Sequence, residues 1–285
     1  MTIKLQHKAL VTATALTSLL LLSSCANINL RNIGSAFKTA QQAFSDTTLE
    51  EEKEIGRTSA AVLLGAVKLF PDKRTQVYVN RVGRWVALQS TRPDLPWRFA
   101  VLDDTDINAF AAPGGYVFIT KGLLASLRSE AELAGVLAHE IAHVTQKHHL
   151  EAIQHQARLK LGGMVVGAAL AERGHDTKTL AAIAGGARFI YSRGLNKEDE
   201  FEADRIGVVL AARAGYDPYG LPAVLQTLDR INADSGRLAL LFKTHPKPSE
   251  RLAQLSTAMQ NHFADGAQFV AGEQRFRQQL AHLAQ

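Results

Sequence analysis

Between Ser129 and His149 the apolar residues Leu133, Val136, Leu137, Ile141 and Val144 recur at steps of three and four, which predicts a helix with one apolar face. Ser129 followed by Glu132 is a capping-box pair at its start. Upstream, residues 49–70 read as a helix with acids in the first turn, where they favour the dipole, and Pro71-Asp72 ends it. A second helix follows, with Val79, Val82, Trp85 and Val86 near one face, ending before Arg92-Pro93. Residues 96–102 and 115–120 change the pattern and predict two strands; Pro-Gly-Gly punctuates the stretch between them. Downstream, residues 161–171 are apolar and rich in small side chains, roughly half of what a bilayer needs, and predict a buried helix. Further helices are expected at 177–191 and at 197–214, the latter closed by Gly215. Asp217-Pro218 opens another as cap and first residue, and Ser249 caps one that begins with Glu250 and Arg251. No repeat or internal linker interrupts this order. The expected fold is mainly α (α+β), helical with a small sheet or hairpin beside the central helix: one domain over 49–265, then a C-terminal helix over 266–285.

Composition changes little: 285 residues, 46% hydrophobic and 21% charged, suit a globular core. The N-terminus changes more. Lys4 and Lys8 precede an uncharged apolar run that ends at Leu22-Ser23-Ser24-Cys25, so residues 1–24 read as a signal peptide rather than a membrane span. Cys25, the only cysteine, then reads as a lipidation site, since an unpaired thiol is a liability in an oxidising compartment. The stretch resembles the lipobox of bacterial lipoproteins; Ala26 after the cysteine implies the outer membrane, with the protein facing the periplasm. Residues 25–48 are polar and read as a tether. The two lysines leave with the leader, so the formal charge of +5 falls to +3, too little to argue for nucleic acid.

The chemistry sits in the central helix, at His139-Glu140-Ile141-Ala142-His143. Imidazoles four apart project from one face and suit a single metal ion, while Glu140 is turned toward a metal-bound water as a base. A catalytic zinc site needs a third protein ligand. Glu198, Glu200 and Glu202 compete for it. Glu200 shares a stripe with Asp204, Gly207, Val208 and Ala211, small or apolar residues fit to pack inward, whereas Glu198 and Glu202 share theirs with Arg205, Val209 and Arg213. Asp204, one turn on, is placed to accept the far ring N–H of a ligand histidine.

Together these stretches resemble the Ste24/HtpX-type zinc metallopeptidases, gluzincins whose second motif reads E-x-x-x-D. Arg92–Trp97, Asn108–Gly115 and Thr244–Arg251 resemble the soluble bacterial branch, and the likeness covers roughly residues 50–260. The long membrane helices of other members are lacking, and no tetratricopeptide array follows residue 260. The resemblance implies a zincin-like domain with one zinc ion per subunit, His139, His143 and Glu200 as ligands, Glu140 as base and Asp204 behind a ligand. It implies that His245 either occupies the metal as a removable fourth ligand or stabilises the oxyanion, with Arg251 the other oxyanion candidate. Asn108, Ala109, Phe110, Gly114 and Gly115 are the expected substrate ledge, since a peptide along a sheet edge gains backbone hydrogen bonds regardless of sequence. Tyr191 and Arg193 are candidates to line the cleft; His148, His149, His155 and His175 have no matching partners and are expected in solvent.

The expected function is membrane-anchored zinc endoproteolysis of misfolded or misassembled envelope polypeptides. The alternative is a chaperone or assembly factor for outer-membrane proteins with latent hydrolysis, in contact with the assembly machinery. A purely structural zinc site fits poorly, because it has no use for Glu140.

Overall fold

The computed structural model describes residues 47–162, 166, 169–170, 176–231, 236–260, 262–263 and 268–283, and all that follows concerns these. The leader at 1–24, Cys25, nearly all of the tether, most of the apolar stretch at 161–171 and His175 lie outside the described residues.

Helix α1 (Leu49–Ala66) begins at a complete capping box, in which Thr48 and Glu51 bond each other's backbone amides. Helix α2 (Lys73–Ala87) is capped by Asp72, whose carboxylate accepts from the Thr75 amide. Val79, Val82 and Val86 enter the core as the periodicity requires, but Trp85 does not join them. Its ring is 51% exposed and its Nε1 donates to the Ala214 carbonyl at 2.9 Å, a partner no local pattern could supply.

Three strands form one sheet, in the order β1-β3-β2. Strands β1 (Arg98–Leu102) and β3 (Tyr116–Thr120) are the expected pair, yet they run parallel, so they make no hairpin. The hairpin is β2 (Ala109–Ala112) with β3, in antiparallel register from Ala109 opposite Ile119 to Ala112 opposite Tyr116. Strand β2 lies in the stretch between the two predicted strands and is not itself predicted, because Ala-Phe-Ala-Ala carries little strand propensity of its own. It forms because β3 offers a partner, and it becomes the sheet's edge.

Helix α3 (Lys121–Ser126) leads into α4 (Glu130–Thr145), around which the rest is packed. Every residue of α4 from Glu130 to Val144 is buried, not one face alone. Helices α2 and α7 (Lys197–Arg213), α8 (Gly220–Arg230) and strand β2 all lie against it. A helix covered all round needs a partner for each polar group it carries. At its start, Ser129 accepts from the Glu132 amide, and the Glu132 carboxylate reaches the Arg128 amide, one residue before the cap it was expected to close. Buried Glu130 accepts from Tyr78 at 2.8 Å, Tyr216 at 2.9 Å and the Arg275 guanidinium. Arg275 and the buried ring of Phe276 fasten α11 (Glu273–Leu280) to the same core, within one compact unit spanning residues 47–285.

Helices α5 (His148–Lys160) and α6 (Thr177–Arg193) pair with each other, and Leu150, Ile153, Ile183 and Ala187 build a second apolar cluster with α1. Two predicted starts move. After Asp217-Pro218 the chain makes a turn, in which Asp217 accepts from Tyr219 and Gly220, and α8 begins only at Gly220. Helix α10 (Pro248–Met259) begins at Pro248 itself, whose fixed φ suits a first turn, so Ser249 lies inside the helix rather than capping it. Between them lies α9 (Ala239–Thr244), which ends at His245. No helix among the described residues is long and apolar enough to cross a membrane.

Candidate metal centre

His139 and His143 leave the buried middle of α4 on one face, with rings nearly perpendicular and their Nε2 atoms 3.1 Å apart. Helix α7 docks closely beside them. Gly207 makes that approach possible, since a Cβ there would stand 2.9 Å from the His139 amide nitrogen. The close docking turns Glu200 inward to 1% exposure; its Oε1 lies 3.5 Å from His143 Nε2 and its Oε2 3.7 Å from His139 Nε2. Among the three competing glutamates, Glu200 is the one at the centre; the Glu202 side chain is 46% exposed.

His245 reaches the same place from the end of α9, with Nδ1 2.6 Å from Glu200 Oε2. The loop after α6 holds it there: Gly194, at φ 81°, lies so close to the Thr244 carbonyl that no side chain fits. His139, Glu200 and His245 each present an atom within 4.8 Å of the others, and His143 Nε2 stands against both His139 and Glu200. Glu140 is buried beside them and lines a small cleft together with Glu200 and His245.

Behind His139, Asp204 Oδ1 lies 2.9 Å from Nδ1, the ring nitrogen turned away from the centre. Arg251 grips the same carboxylate, donating Nε–H to Oδ2 at 2.8 Å and Nη2–H to Oδ1. This corrects the expectation for Arg251. Its guanidinium is engaged by Asp204, and Nη2 meets His139 on the far ring nitrogen at 3.3 Å, so its charge is spent on the carboxylate behind His139 rather than held free for an oxyanion. Sequence alone had two charged residues 47 apart and no means of pairing them.

Electrostatics sort these groups. Burial pushes the Glu140 carboxyl above the usual carboxylate range, although His139 and His245 draw it back. Burial also works against charge on Glu200, but facing His245, by charge and hydrogen bond, holds Glu200 below that range and raises His245 in turn. Asp204 is held well below its ordinary value because Arg251 outweighs the burial. His143, buried among other histidines, is pushed well down and stays neutral. Imidazole nitrogens and an ionised carboxylate are donors that zinc and similar cations take, so the residues present fit such an ion.

The expected ledge divides. Asn108 is buried and spends its backbone on Thr120 and its Oδ1 on the Ala109 amide, so it anchors the strand. Bonding of the Thr120 amide to the Asn108 carbonyl sets the alternation, and Phe110 then faces β3 while Ala109 and Ala111 turn their peptide groups to the side away from β3. Tyr191 donates to the Ala111 carbonyl there at 3.1 Å, and with Ala109 and Phe110 it lines the cleft beside Glu140. Gly114 and Gly115 are not brought to the centre. They form the turn after β2, where the Gly114 amide donates to Glu52 and Gly115 lies against Trp97.

Glu52, which no local pattern marks, is buried and takes a two-pronged bond from Arg92, which also reaches the Val144 carbonyl at the end of α4. Arg193 sits over the Phe189 ring on the surface, not in the cleft. His155 is exposed as expected, but His148 is buried and His149 half-buried, both against His143. The expectation failed because the chain doubles back after α4, through Lys147 at φ 63°.

On the other flank of His139 and Glu140, a second small cleft is lined by aliphatic side chains, among them Leu123, Val136, Val224 and Leu228.

The family model for peptidase family M48 matches residues 73–259, which take in every candidate ligand described above. The beta-barrel assembly-enhancing protease of Escherichia coli (strain K12) is 32% identical over 218 residues, covering 74% of this chain and 44% of that protein. The putative beta-barrel assembly-enhancing protease of Vibrio cholerae shows the same identity and coverage. The mitochondrial metalloendopeptidase OMA1 of Schizosaccharomyces pombe is 29% identical over 218 residues, 75% of this chain and 63% of that protein. The chain thus spans less than half the length of its bacterial relatives. Motif, donor geometry and matched span agree, and the chain belongs to peptidase family M48.

Proposed function

We propose that the protein is a zinc-dependent metalloendopeptidase acting on misfolded or misassembled envelope polypeptides. The observation that carries this reading is the convergence of His139, His143 and Glu200 around one point, with Glu140 buried beside them and the edge strand β2 alongside. When bound, zinc supplies Lewis acidity that makes water a nucleophile near neutral pH. Glu140 takes the proton of the attacking water and passes it to the leaving amine, one positioned carboxylate serving both transfers. Strand β2, at the edge of the sheet, aligns the peptide from Ala109, reading its backbone and not its side chains, as suits unfolded clients, while Tyr191 holds the Ala111 carbonyl. His245, in contact with Glu200, holds either the place of a fourth donor or that of an oxyanion partner.

We place the protein at the outer membrane, anchored through Cys25 and facing the periplasm. A Cys25→Ser variant should leave the membrane fraction.

The test of function is digestion of casein and an unfolded porin by purified protein, with and without chelator. Glu140→Gln should retain zinc and lose hydrolysis by about 10²-fold or more. A fully active Glu140→Gln enzyme would remove the mechanism. The names of the bacterial relatives favour a second reading, assistance to outer-membrane assembly. Under it, Glu140→Gln protein would still suppress client aggregation and rescue a deletion strain.

A further inference from the structure

His139 has Asp204 behind it, but no carboxylate stands behind His143. Its Nδ1 faces another ring nitrogen, His148 Nδ1, at 3.0 Å. His143 Nε2 is the atom turned to the centre, so for it to offer a lone pair the ring hydrogen must sit on Nδ1. A 3.0 Å contact between two nitrogens is a hydrogen bond only if one alone carries hydrogen. His148 Nδ1 is therefore the acceptor, and its own hydrogen lies on Nε2. That nitrogen faces Glu202 Oε2 at 3.4 Å and Asp199 Oδ1 at 4.0 Å, the acids on either side of Glu200 on α7.

We propose that His148 is a positioning residue for the metal centre: it fixes the tautomer and ring orientation of His143 and is itself oriented by Glu202 and Asp199. The arrangement is local in sequence and long-range in structure. Lys147 takes the left-handed conformation at φ 63°, a strained choice for a residue with a side chain, and this reversal drops His148 back onto His143. His148 is 7% exposed, so the bond is made away from competing water. One helix thereby sets both ligand histidines: α7 holds His139 directly through Asp204, and His143 through His148.

This inference rests on the proposed metal site, and its test is a binding measurement rather than turnover. The Zn²⁺ dissociation constant is measured by competition with a chromophoric chelator for wild type, His148→Leu and His148→Asn, with the unfolding temperature of each metal-free protein alongside. Leucine removes the acceptor and should weaken Zn²⁺ binding by about 10–100-fold. Asparagine offers Oδ1 near the place of Nδ1 and should recover most of that loss, at an unfolding temperature like that of His148→Leu. Wild-type affinity in His148→Leu, or no recovery in His148→Asn, would overturn the proposal while leaving the metalloendopeptidase reading intact. Absence of Zn²⁺ binding by the wild type would overturn both. Should His148→Leu fail to fold, Asp199→Asn/Glu202→Gln takes its place, with a weakening of about 3-fold or more expected and wild-type affinity refuting.

Discussion

Replacing Asp204 by Asn removes one charge from a position that is 1% exposed and leaves the shape nearly unchanged. The carboxylate now accepts from Arg251 Nε at 2.8 Å and from Nη2, and lies 2.9 Å from His139 Nδ1. An amide must turn its NH₂ toward one of those donors, and the buried guanidinium loses its counter-charge. Breaking a buried pair by removing one partner costs about 3–5 kcal/mol. For a folded unit of this size each kcal/mol is worth about 2–4 °C, so metal-free Asp204→Asn should melt about 6–20 °C lower by calorimetry. His139 also loses its charged acceptor, and Zn²⁺ affinity should fall by about 10–100-fold in a chelator competition.

A second substitution separates the two effects. Asp204→Asn/Arg251→Met has no stranded charge and should regain most of the stability, but not the affinity. The pH dependence has a definite sign. The folded-state pKa of Asp204 is depressed, so its contribution is complete above the unfolded value of about 3.9 and drains away as pH falls below it. Acid unfolding of metal-free wild type should therefore be steeper below about pH 4 than that of the double variant. A loss of less than about 1 kcal/mol in the single variant, or unchanged Zn²⁺ affinity, would refute this account of the pair.

Gly207→Ala places a methyl 2.9 Å from the His139 amide nitrogen and 3.1 Å from its Cα. The overpacking should cost about 1–3 kcal/mol and push Glu200 from the histidines; an unchanged melting temperature with unchanged Zn²⁺ affinity would contradict the close-docking argument. His245→Ala releases Glu200 Oε2 from a 2.6 Å bond and opens the side of the centre where a fourth donor would sit. Casein hydrolysis should rise; a fall would assign His245 to the oxyanion instead.

The shared face of His139 and His143, the neighbouring Glu140 and the inward turn of Glu200 were legible in the sequence because each depends on short-range geometry. Two imidazoles four apart share a helix face whatever surrounds them, and Glu200 is told from Glu198 and Glu202 by the small residues on its own stripe. Helix caps at Thr48, Asp72 and Ser129 are likewise bonds across three residues. The tertiary structure alone decided what lies opposite each polar group. Strand β2 exists because β3 pairs with it, Arg251 serves Asp204 because α10 crosses α7, and Trp85 turns outward toward the carbonyl of Ala214. His148, expected in solvent, is buried because the chain reverses at Lys147. Periodicity along a chain fixes which way a side chain points; only the docking of distant segments decides what it meets, and desolvation makes that meeting obligatory.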